Sequence, residues 1–382
     1  MSELNNTRAG NDIRLQLLGT VSALTLLVAV STNAKAEDAD RPTVWIELGG
    51  QLARVDGGGQ QFAPPFIMKT PRPAPETISP LSVGHAPRYS FGGEGKISFE
   101  PQGTNWVFSA GVRFGRSNAH KHLHQQSYPT KPRLPPITPS ALVVFQYALP
   151  FSDVDRKESE SHAILDFQAG KDVGLGMFGR DSTSVLSVGV RFAQFTSRSN
   201  VALKSQPDFD VSYKYFYGHS FPTRVHFHEN AATASAARSF RGIGPSLAWT
   251  ASVPIAGNVD EGQVAVDWGI NAAVLFGRQK AKIHHETTAQ YWSAKYHQYS
   301  AAGATVTTAY HHNANPVRSR SVTVPNIGGF AGLSFRYDAA KVSLGYRADF
   351  FFGAIDGGID GRKAYDRNFY GPFATVSIGL GG

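Results

Sequence analysis

The sequence predicts an all-β fold, a transmembrane up-and-down barrel of antiparallel strands with long extracellular loops. Apolar and polar residues alternate in about ten separate stretches of the 382-residue chain. A segment typical of a secretion signal precedes all of these stretches, and short and long connections follow one another between them. Alternation of this kind, after an export signal, is typical of strands with lipid on one face and a watery lumen on the other.

The clearest strand covers residues 341–352, with the sequence KVSLGYRADFFF. Successive side chains of a strand point to opposite faces of the sheet. One face therefore carries Val342, Leu344, Tyr346, Ala348, Phe350 and Phe352. The other face carries Ser343, Gly345, Arg347 and Asp349. The uncharged face is suited to lipid, and the charged face to the lumen.

Residues 1–36 have the pattern of a cleaved signal peptide, which leaves 37–382 as the barrel domain. Arg8 and Arg14 are basic, 15–30 is largely apolar without charge, and Ala34 and Ala36 are the small residues of a cleavage site. A single transmembrane anchor is the alternative, but the apolar run falls short of the roughly 20 residues that a spanning helix needs. We therefore expect export and integral residence in a bacterial outer membrane.

Composition narrows the classes of function. The formal net charge is +8, from 37 Lys and Arg against 29 Asp and Glu, and mean hydropathy is −0.23. The chain has no cysteine, so disulfides, thiolate metal sites and a cysteine nucleophile are excluded. Low mean hydropathy also argues against a bundle of membrane helices.

The strand pattern recurs in order along the mature chain. Its predicted ranges are 43–54, 89–100, 106–114, 162–171, 184–195, 242–249, 264–276, 327–336, 341–352 and 373–380. Ten is an even number, as single-chain bacterial barrels require. Two further stretches, 142–149 and 209–217, could be additional crossings, and both together would make a barrel of twelve strands.

The connections alternate between short and long. Turns are predicted at 100–105, 172–183, 251–262 and 338–340, and long polar loops at 55–88, 117–161, 196–239, 278–323 and 353–369. Short periplasmic turns and long extracellular loops are the usual asymmetry of such barrels. A β-sandwich or a soluble solenoid is the alternative fold, but the apolar faces are rich in Gly, Ala and Trp rather than in large aliphatic residues.

Four short motifs carry a resemblance to a known family. They are LSVGVRFA at 186–193, FRGIGPSL at 240–247, VSLGYRAD at 342–349 and FYGPF at 369–373. In this order they resemble the strands of the Legionella-type major outer-membrane protein family of pore-forming barrels, from about residue 162 to the end. The resemblance implies an outer-membrane barrel with porin-like activity. The chain departs from the usual pattern in ending on Gly382 without a terminal aromatic, and Phe369, Tyr370 and Phe373 are the candidates for an aromatic girdle.

The predicted lumen contains charges of both signs. Charged side chains on the lipid face would cost about 2–4 kcal/mol for Arg or Lys at the midplane, so they belong inside. The candidate pore-lining residues are Glu47, Glu94, Lys96, Arg113, Asp166, Arg191, Asp267, Arg336, Arg347 and Asp349. Two interpretations stay open: a charge-selective pore, or a ladder of ion pairs that fills a narrow barrel, since small barrels are filled by side chains.

Histidine and basic residues concentrate in the predicted loops. His120, His122 and His124 alternate, and an i, i+2 spacing on a strand brings imidazoles to one face, an arrangement that suits zinc or copper. No carboxylate partner is fixed, so we predict no metal and no cofactor. The 278–322 segment carries six cations against Glu286. We expect such a surface to meet lipopolysaccharide rather than nucleic acid.

These observations favour a porin-like protein, a passive pore for small solutes or ions, with a weak anion preference from basic loops over its mouth. A structural or adhesin-type surface barrel without an open pore is the alternative. An outer-membrane hydrolase is the third interpretation, but the sequence contains no Ser-His-Asp order, paired-carboxylate motif or phosphate loop. We therefore predict that the chain is not an enzyme.

The signal-peptide pattern gives the first testable prediction. Cleavage after Ala36 should leave Glu37 as the first residue of the mature protein in the outer-membrane fraction. Mass spectrometry of the N-terminal peptide from fractionated cells would identify it. Membrane-associated protein that keeps Met1 would contradict the prediction.

Overall fold

The computed structural model describes residues 43–57, 59, 89–126, 151–174, 182–206, 210–216, 219–258, 261–295 and 304–380. All regular elements among these residues are strands. They are β1 (Thr43–Asp56), β2 (Tyr89–Glu100), β3 (Trp106–Gln126), β4 (Phe151–Asp172), β5 (Thr183–Gln206), β6 (Asp210–Phe216), β7 (His219–Asn258), β8 (Gly262–Lys295), β9 (Ala304–Ala314), β10 (Val317–Tyr337), β11 (Ala340–Asp356) and β12 (Ala364–Leu380). The described part of the chain contains no helix that is long and apolar enough to cross a membrane.

Ten of the strands close into a barrel. The order around it is β7-β5-β4-β3-β2-β1-β12-β11-β10-β8, and β8 pairs back to β7. All of these pairings are antiparallel, including the closing pair of first and last strands, where Val44 faces Leu380. Closure leaves no edge strand in the wall, which is the condition for a sheet to exist in lipid.

The prediction of ten barrel strands is confirmed, since each of the ten predicted ranges lies within one strand of the closed wall. Within the stretch 209–217, residues 210–216 form strand β6, but among the described strands β6 pairs with β7 alone and is not a wall crossing. In the described part of the chain, β9 likewise pairs with β8 alone. The other proposed crossing, 142–149, lies outside the described residues.

The prediction of long loops at 117–161, 196–239 and 278–323 is wrong for much of their length. There the wall strands simply continue: β7 is 40 residues long and β8 is 34. A transmembrane strand needs only about 9–11 residues. The continuation was missed because its outward face is polar or small, as at Thr233 and Ser235, while its inward face holds residues such as Ala234 and Ala236. Two ends of the 353–369 segment also belong to β11 and β12.

The lengths of the connections indicate which end of the barrel faces the periplasm. The turns after β2, β7 and β10 are short, and both Val44 and Leu380 lie at this end. The turn between β10 and β11 contains Asp338 with φ at 49°, a conformation that Asp tolerates. Short turns mark the periplasmic end of an outer-membrane barrel, so the continued strands project on the extracellular side.

The outer face of the wall carries an apolar band. Large hydrophobic side chains are exposed on each of the ten wall strands, among them Phe108 on β3, Val188 on β5, Ile270 on β8 and Leu333 on β10. On the same strands, the residues at the alternate positions, such as Arg191 on β5 and Asp267 on β8, are buried and point inward. The exposed hydrophobic residues therefore face outward. A closed antiparallel sheet with apolar residues outside and polar residues inside is the architecture of an outer-membrane β-barrel.

The adjacent residues Leu344 and Ser343 allow a direct test of this architecture. Leu344 is 61% exposed on the outer face, whereas Ser343 is 8% exposed and lines the lumen. Leu344→Arg should reduce the fraction of protein that folds into vesicles, because an arginine in the apolar band costs about 2–4 kcal/mol near the midplane. Heat-modifiable gel mobility after refolding measures that fraction. Ser343→Arg places the same side chain in the polar lumen and should fold like the unmodified protein; equal losses would contradict the barrel.

Candidate functional site: the barrel lumen

The periplasmic half of the lumen contains a polar cavity of about 330 Å³. Its walls come from the inward-facing residues of most of the wall strands, with polar side chains such as Ser109, Gln168, Thr250 and Thr375 between the charged groups. Inward positions repeat every second residue, so adjacent strands contribute side chains at matched levels. The cavity is therefore a product of strand register rather than of any loop.

Eight of the ten predicted lumen residues line this cavity: Glu47, Glu94, Lys96, Arg113, Asp166, Arg191, Asp267 and Arg347. Asp349 also points inward but is buried behind the cavity wall. Arg336 lies apart, with its guanidinium 5.0 Å from the centre of the Trp45 ring. Lys341, which the sequence reasoning left out, lines the cavity and lies 2.6 Å from Asp267.

A network of ion pairs crosses the middle of the barrel. Arg113 Nη1 is 2.5 Å from Asp349 Oδ2, and Arg113 Nη2 is 3.7 Å from Asp166. Arg191 contacts both oxygens of Asp166, with Nε 2.6 Å from Oδ1 and Nη2 3.1 Å from Oδ2. Strands β3, β4, β5 and β11 are thus connected through the lumen, not only through the wall.

Arg191 is the centre of this network. It is 2% exposed, and its Nη1 donates hydrogen bonds to Asn271 Oδ1 at 2.6 Å and to Asn326 Oδ1. A second pair beside it joins Arg347 to Glu94, and the Arg347 guanidinium stacks 4.5 Å from the centre of the Phe373 ring. Buried charges are tolerated only when they are paired and hydrogen-bonded in this way.

Above the ion pairs, towards the extracellular end, phenylalanine rings fill the lumen. We call Phe195, Phe240, Phe351 and Phe369 the phenylalanine layer; all four are buried. The ring centre of Phe195 lies 4.6 Å from that of Phe351 and 5.3 Å from that of Phe369. Ile164, Leu275, Val324 and Ile355 are buried in the same cluster. The barrel thus has an apolar core inside its polar lumen.

The phenylalanine layer also corrects the assignment of an aromatic girdle. Phe369 and Phe373 are buried and face inward, so they do not contact lipid. The girdle prediction is therefore wrong for these two residues. Large aromatic side chains that do lie on the outer face near the periplasmic end include Trp106, Phe335 and Tyr337. Both phenylalanines occupy the inward positions of β12, which alternate with its outward positions.

Beyond the phenylalanine layer, the end of β11 and the residues that follow it fold into the barrel. Residues Ala354 to Ile359, here called the inner latch, are all buried. Arg318 holds the latch: its Nε donates to Asp356 Oδ2 at 2.7 Å, and its other nitrogens donate to the carbonyls of Gly358 and Ile359, each at 2.7 Å. Ile359 packs against Ala236, Ala281 and Ile283 of β7 and β8.

A buried ion pair lies beside the latch. Arg367 Nε is 3.0 Å from Glu160 Oε1, and both side chains are 1% exposed. Arg367 also donates to the carbonyl of Gly57 at the end of β1. Gln279 donates to the carbonyl of Gly353 at 2.5 Å, where the latch begins. The inward polar groups at this level therefore bind the chain entering the lumen.

The alternating histidines lie on the outer wall above the apolar band, on β3. His120 is 2.9 Å from Asp155, and His122 is 3.1 Å from Asp153 on the adjacent strand β4. The hydrogen bond with His120 holds the pKa of Asp155 below its ordinary value. The carboxylate partners that the sequence left unassigned are thus Asp153 and Asp155. Among the residues that the structure describes, no His, Cys, Asp or Glu group of three or more is arranged to hold a metal ion.

Comparison with known proteins gives matches among solved structures only. No protein family matches the sequence, and no curated protein matches it. Solved structures that are similar include the outer membrane protease OmpT from Escherichia coli, with TM-score 0.32, 9% identity, and coverage of 92% of this chain and 100% of that one. The translocator domain of the autotransporter NalP from Neisseria meningitidis has TM-score 0.24 and 10% identity over 98% and 97% of the chains. The toluene transporter TodX of P. putida has TM-score 0.22 and 11% identity over 90% and 91%.

These proteins differ from one another in what they do, and the identities and TM-scores are low. The comparison therefore selects no activity. The coarser conclusion follows from the molecule's own closed wall, outward apolar band and polar lumen: the chain is an outer-membrane β-barrel.

The ion-pair network predicts a large difference between two arginines. Arg191→Met should lower the free energy of unfolding by about 3–5 kcal/mol, because it removes both hydrogen bonds to Asp166 and the donor to the amide oxygens of Asn271 and Asn326. Arg336→Met is the matched control and should lower it by less than about 1 kcal/mol, since the hydrogen bond that Arg336 donates to the Asp338 carbonyl is exposed to solvent. Urea unfolding from vesicles, followed by tryptophan fluorescence, measures both. Similar losses for the two variants would show that the network does not stabilise the barrel.

A buried histidine in the extracellular part of β8 predicts a pH dependence. Burial lowers the pKa of His285, which lies 2.7 Å from the Thr287 hydroxyl and faces His312. A lowered pKa means that the folded state binds its proton less readily than the unfolded chain, whose pKa is about 6.5. The folded state therefore favours neutral His285. The stability that this neutral form provides is fully present above about pH 6.5 and decreases as the pH falls below that value.

Amide hydrogen exchange across β7 and β8, corrected for intrinsic rates, should therefore become faster as the pH is lowered from about 7.5 to about 5. This range includes the pH at which histidine titrates. His285→Gln should reduce the pH effect, whereas His284→Gln, on the exposed neighbouring position, should leave it intact. An unchanged pH response in His285→Gln would contradict the role given to His285.

Proposed function

We propose that this protein is an outer-membrane barrel with a closed lumen, which anchors its long extracellular strands as a structural or adhesin-type surface protein. The observation that carries the proposal is the filling of the lumen by the phenylalanine layer and the inner latch. Within the part of the chain that the structure describes, these two layers lie between the polar cavity and the extracellular end. Solutes entering from the periplasm would meet buried aromatic rings.

The closed interior has the properties of a protein core. Protein interiors are packed as densely as organic crystals, and a dry apolar layer presents no partners for water or ions. The aromatic contacts of Phe195, at 4.6 and 5.3 Å between ring centres, are those of packed side chains. A permanent core of this kind stabilises the barrel, whereas a pore requires a hydrated path.

The extracellular strands are the natural site of activity in this proposal. They extend the antiparallel wall beyond the apolar band and present polar outward rows, including His120, His122 and His124 with their aspartate partners. Exposed strand surfaces held on a rigid base suit recognition of another surface. We propose that the protein is not an enzyme, because the central charged groups of the lumen, such as Arg113, Arg191 and Asp267, are engaged in ion pairs.

A porin-like pore for small solutes or ions is the second candidate, and the polar cavity of about 330 Å³ favours it. In this case the inner latch and the phenylalanine layer would have to move. Three of the six cations behind the anion preference, Arg278, Lys280 and Lys282, lie on β8 and point outward from the wall rather than over the mouth, and Arg318 is bound to the inner latch. We therefore propose no charge preference for such a pore.

Recording from planar bilayers decides between the two candidates. Folded protein whose insertion has been verified should give no steady conductance at low or high salt, because the phenylalanine layer excludes hydrated ions. Steady single-channel steps from the unmodified protein would overturn the closed lumen and favour the pore.

A hollowed variant tests whether the phenylalanine layer is the barrier. Replacing Phe195, Phe351 and Phe369 by alanine should raise conductance above the silent baseline. The matched control replaces three outward phenylalanines, Phe335, Phe350 and Phe352, and should remain silent. Each variant is first checked for heat-modifiable mobility, since a buried Phe→Ala change costs about 3–5 kcal/mol. Equal conductance of the hollowed variant and the unmodified protein would show that another element controls passage.

A further inference from the structure

Strand register brings five cations together on the outer wall. On β5, β7, β8 and β10, three rows of outward-facing residues lie directly above the apolar band. From the band upward, the rows are Gln194, Arg241, Arg278 and Ser321; then Thr196, Ser239, Lys280 and Ser319; then Arg198, Ala237, Lys282 and Val317. We call Arg198, Arg241, Arg278, Lys280 and Lys282 the basic patch.

None of the positions in the three rows is an acid. The residues between the cations are neutral, and most are small, so shallow spaces separate the charged side chains. The next outward carboxylate along β8 is Glu286, two outward positions beyond Lys282. All five cations are exposed, and none lies within ion-pair distance of a carboxylate among the described residues.

Two of the cations oppose each other directly. Arg241 on β7 and Arg278 on β8 are register partners, and like charges in directly opposed positions destabilise a sheet. The Arg241 guanidinium lies 5.2 Å from the centre of the Phe192 ring, at the edge of the band. The arrangement therefore costs stability in the protein alone, and an anion between the strands would offset that cost.

The position of the patch limits the kind of anion. One outward position below Arg278 is Phe276, and one below Arg241 is Ile243, both exposed members of the apolar band. On the extracellular side of such a band, a membrane presents the headgroups of its outer leaflet. Basic residues at this level attract anionic headgroups, while aliphatic stems of Lys and Arg remain along the apolar surface.

From this geometry we propose that the basic patch is a binding site for the phosphorylated headgroup of an outer-leaflet glycolipid, that is, the lipid A part of lipopolysaccharide. The phosphates lie between β7 and β8, where they neutralise Arg241 and Arg278. Lys280, Lys282 and Arg198 bind the phosphate and acidic sugar groups further from the membrane. The acyl chains pack on Phe276 and Ile243. The site is independent of whether the lumen is open or closed.

Binding of purified lipid A to the folded protein in non-ionic detergent tests the site, measured by microscale thermophoresis. The probes are bisphosphorylated lipid A, its dephosphorylated form with the same acyl chains, and inorganic phosphate. The bisphosphorylated lipid should bind most tightly, and its binding should weaken as salt rises, because exposed charges are screened. Replacing Arg278, Lys280 and Lys282 by threonine should reduce affinity on the order of 100-fold.

The matched control removes the same number of outward cations elsewhere, with Arg116→Thr, Lys157→Thr and Lys204→Thr on β3, β4 and β5, and should change affinity less than about 3-fold. All variants are checked for heat-modifiable mobility, and the salt dependence of the unmodified protein provides a test that needs no variant. Equal binding of the dephosphorylated lipid, or equal losses in the two triple variants, would overturn the proposal. Inorganic phosphate that binds as tightly as lipid A would assign the patch to free anions instead.

Discussion

The closed antiparallel wall is the constraint on which the rest of this molecule depends. Inside lipid, every backbone donor and acceptor must be satisfied, and only a sheet without an edge achieves this with strands. Pairing of β1 with β12 and of β7 with β8 closes the wall. Once it is closed, each residue faces either lipid or lumen, and the period of two decides which. The apolar band and the inward charges are both consequences of that single condition.

Inward charges then require partners, because the lumen of a ten-strand barrel is narrow. The structure meets this requirement with cross-barrel pairs, of which Arg191 with Asp166 and Arg113 with Asp349 are the most central. Above them the same narrowness allows side chains from opposite walls to touch, so Phe195 and Phe369 form an apolar core. The lumen is thus held by two different means: paired charge in the middle, and aromatic packing towards the extracellular end.

The sequence predicted the wall well, because lipid imposes a strict and local pattern. All ten barrel strands and the inward direction of all ten chosen charges could be found by alternation alone, and eight of those charges line the cavity. The extracellular strand extensions were missed because water faces them, so small and polar residues replace the apolar ones. The phenylalanine layer was also missed, although its signal was present. Phe351 lies on the same face of its strand as Asp349, and Phe195 lies on the same face as Arg191. Alternation could not predict the inner latch, because its residues are buried at consecutive positions rather than at every second one. Long-range hydrogen bonds from Arg318 hold it in place.

The two faces of the wall treat cations differently, and the difference follows from what lies next to each face. Inside, Arg113, Arg191 and Arg347 each have a carboxylate partner within the protein, as buried charges require. Outside, at the edge of the apolar band, Arg241 and Arg278 oppose each other with no acid in their row. The chain supplies no acid in these rows, because the positions beside the cations on β7 and β10 hold serine, alanine and valine. The wall therefore leaves this charge for its surroundings to balance, and at that height the surroundings are headgroups.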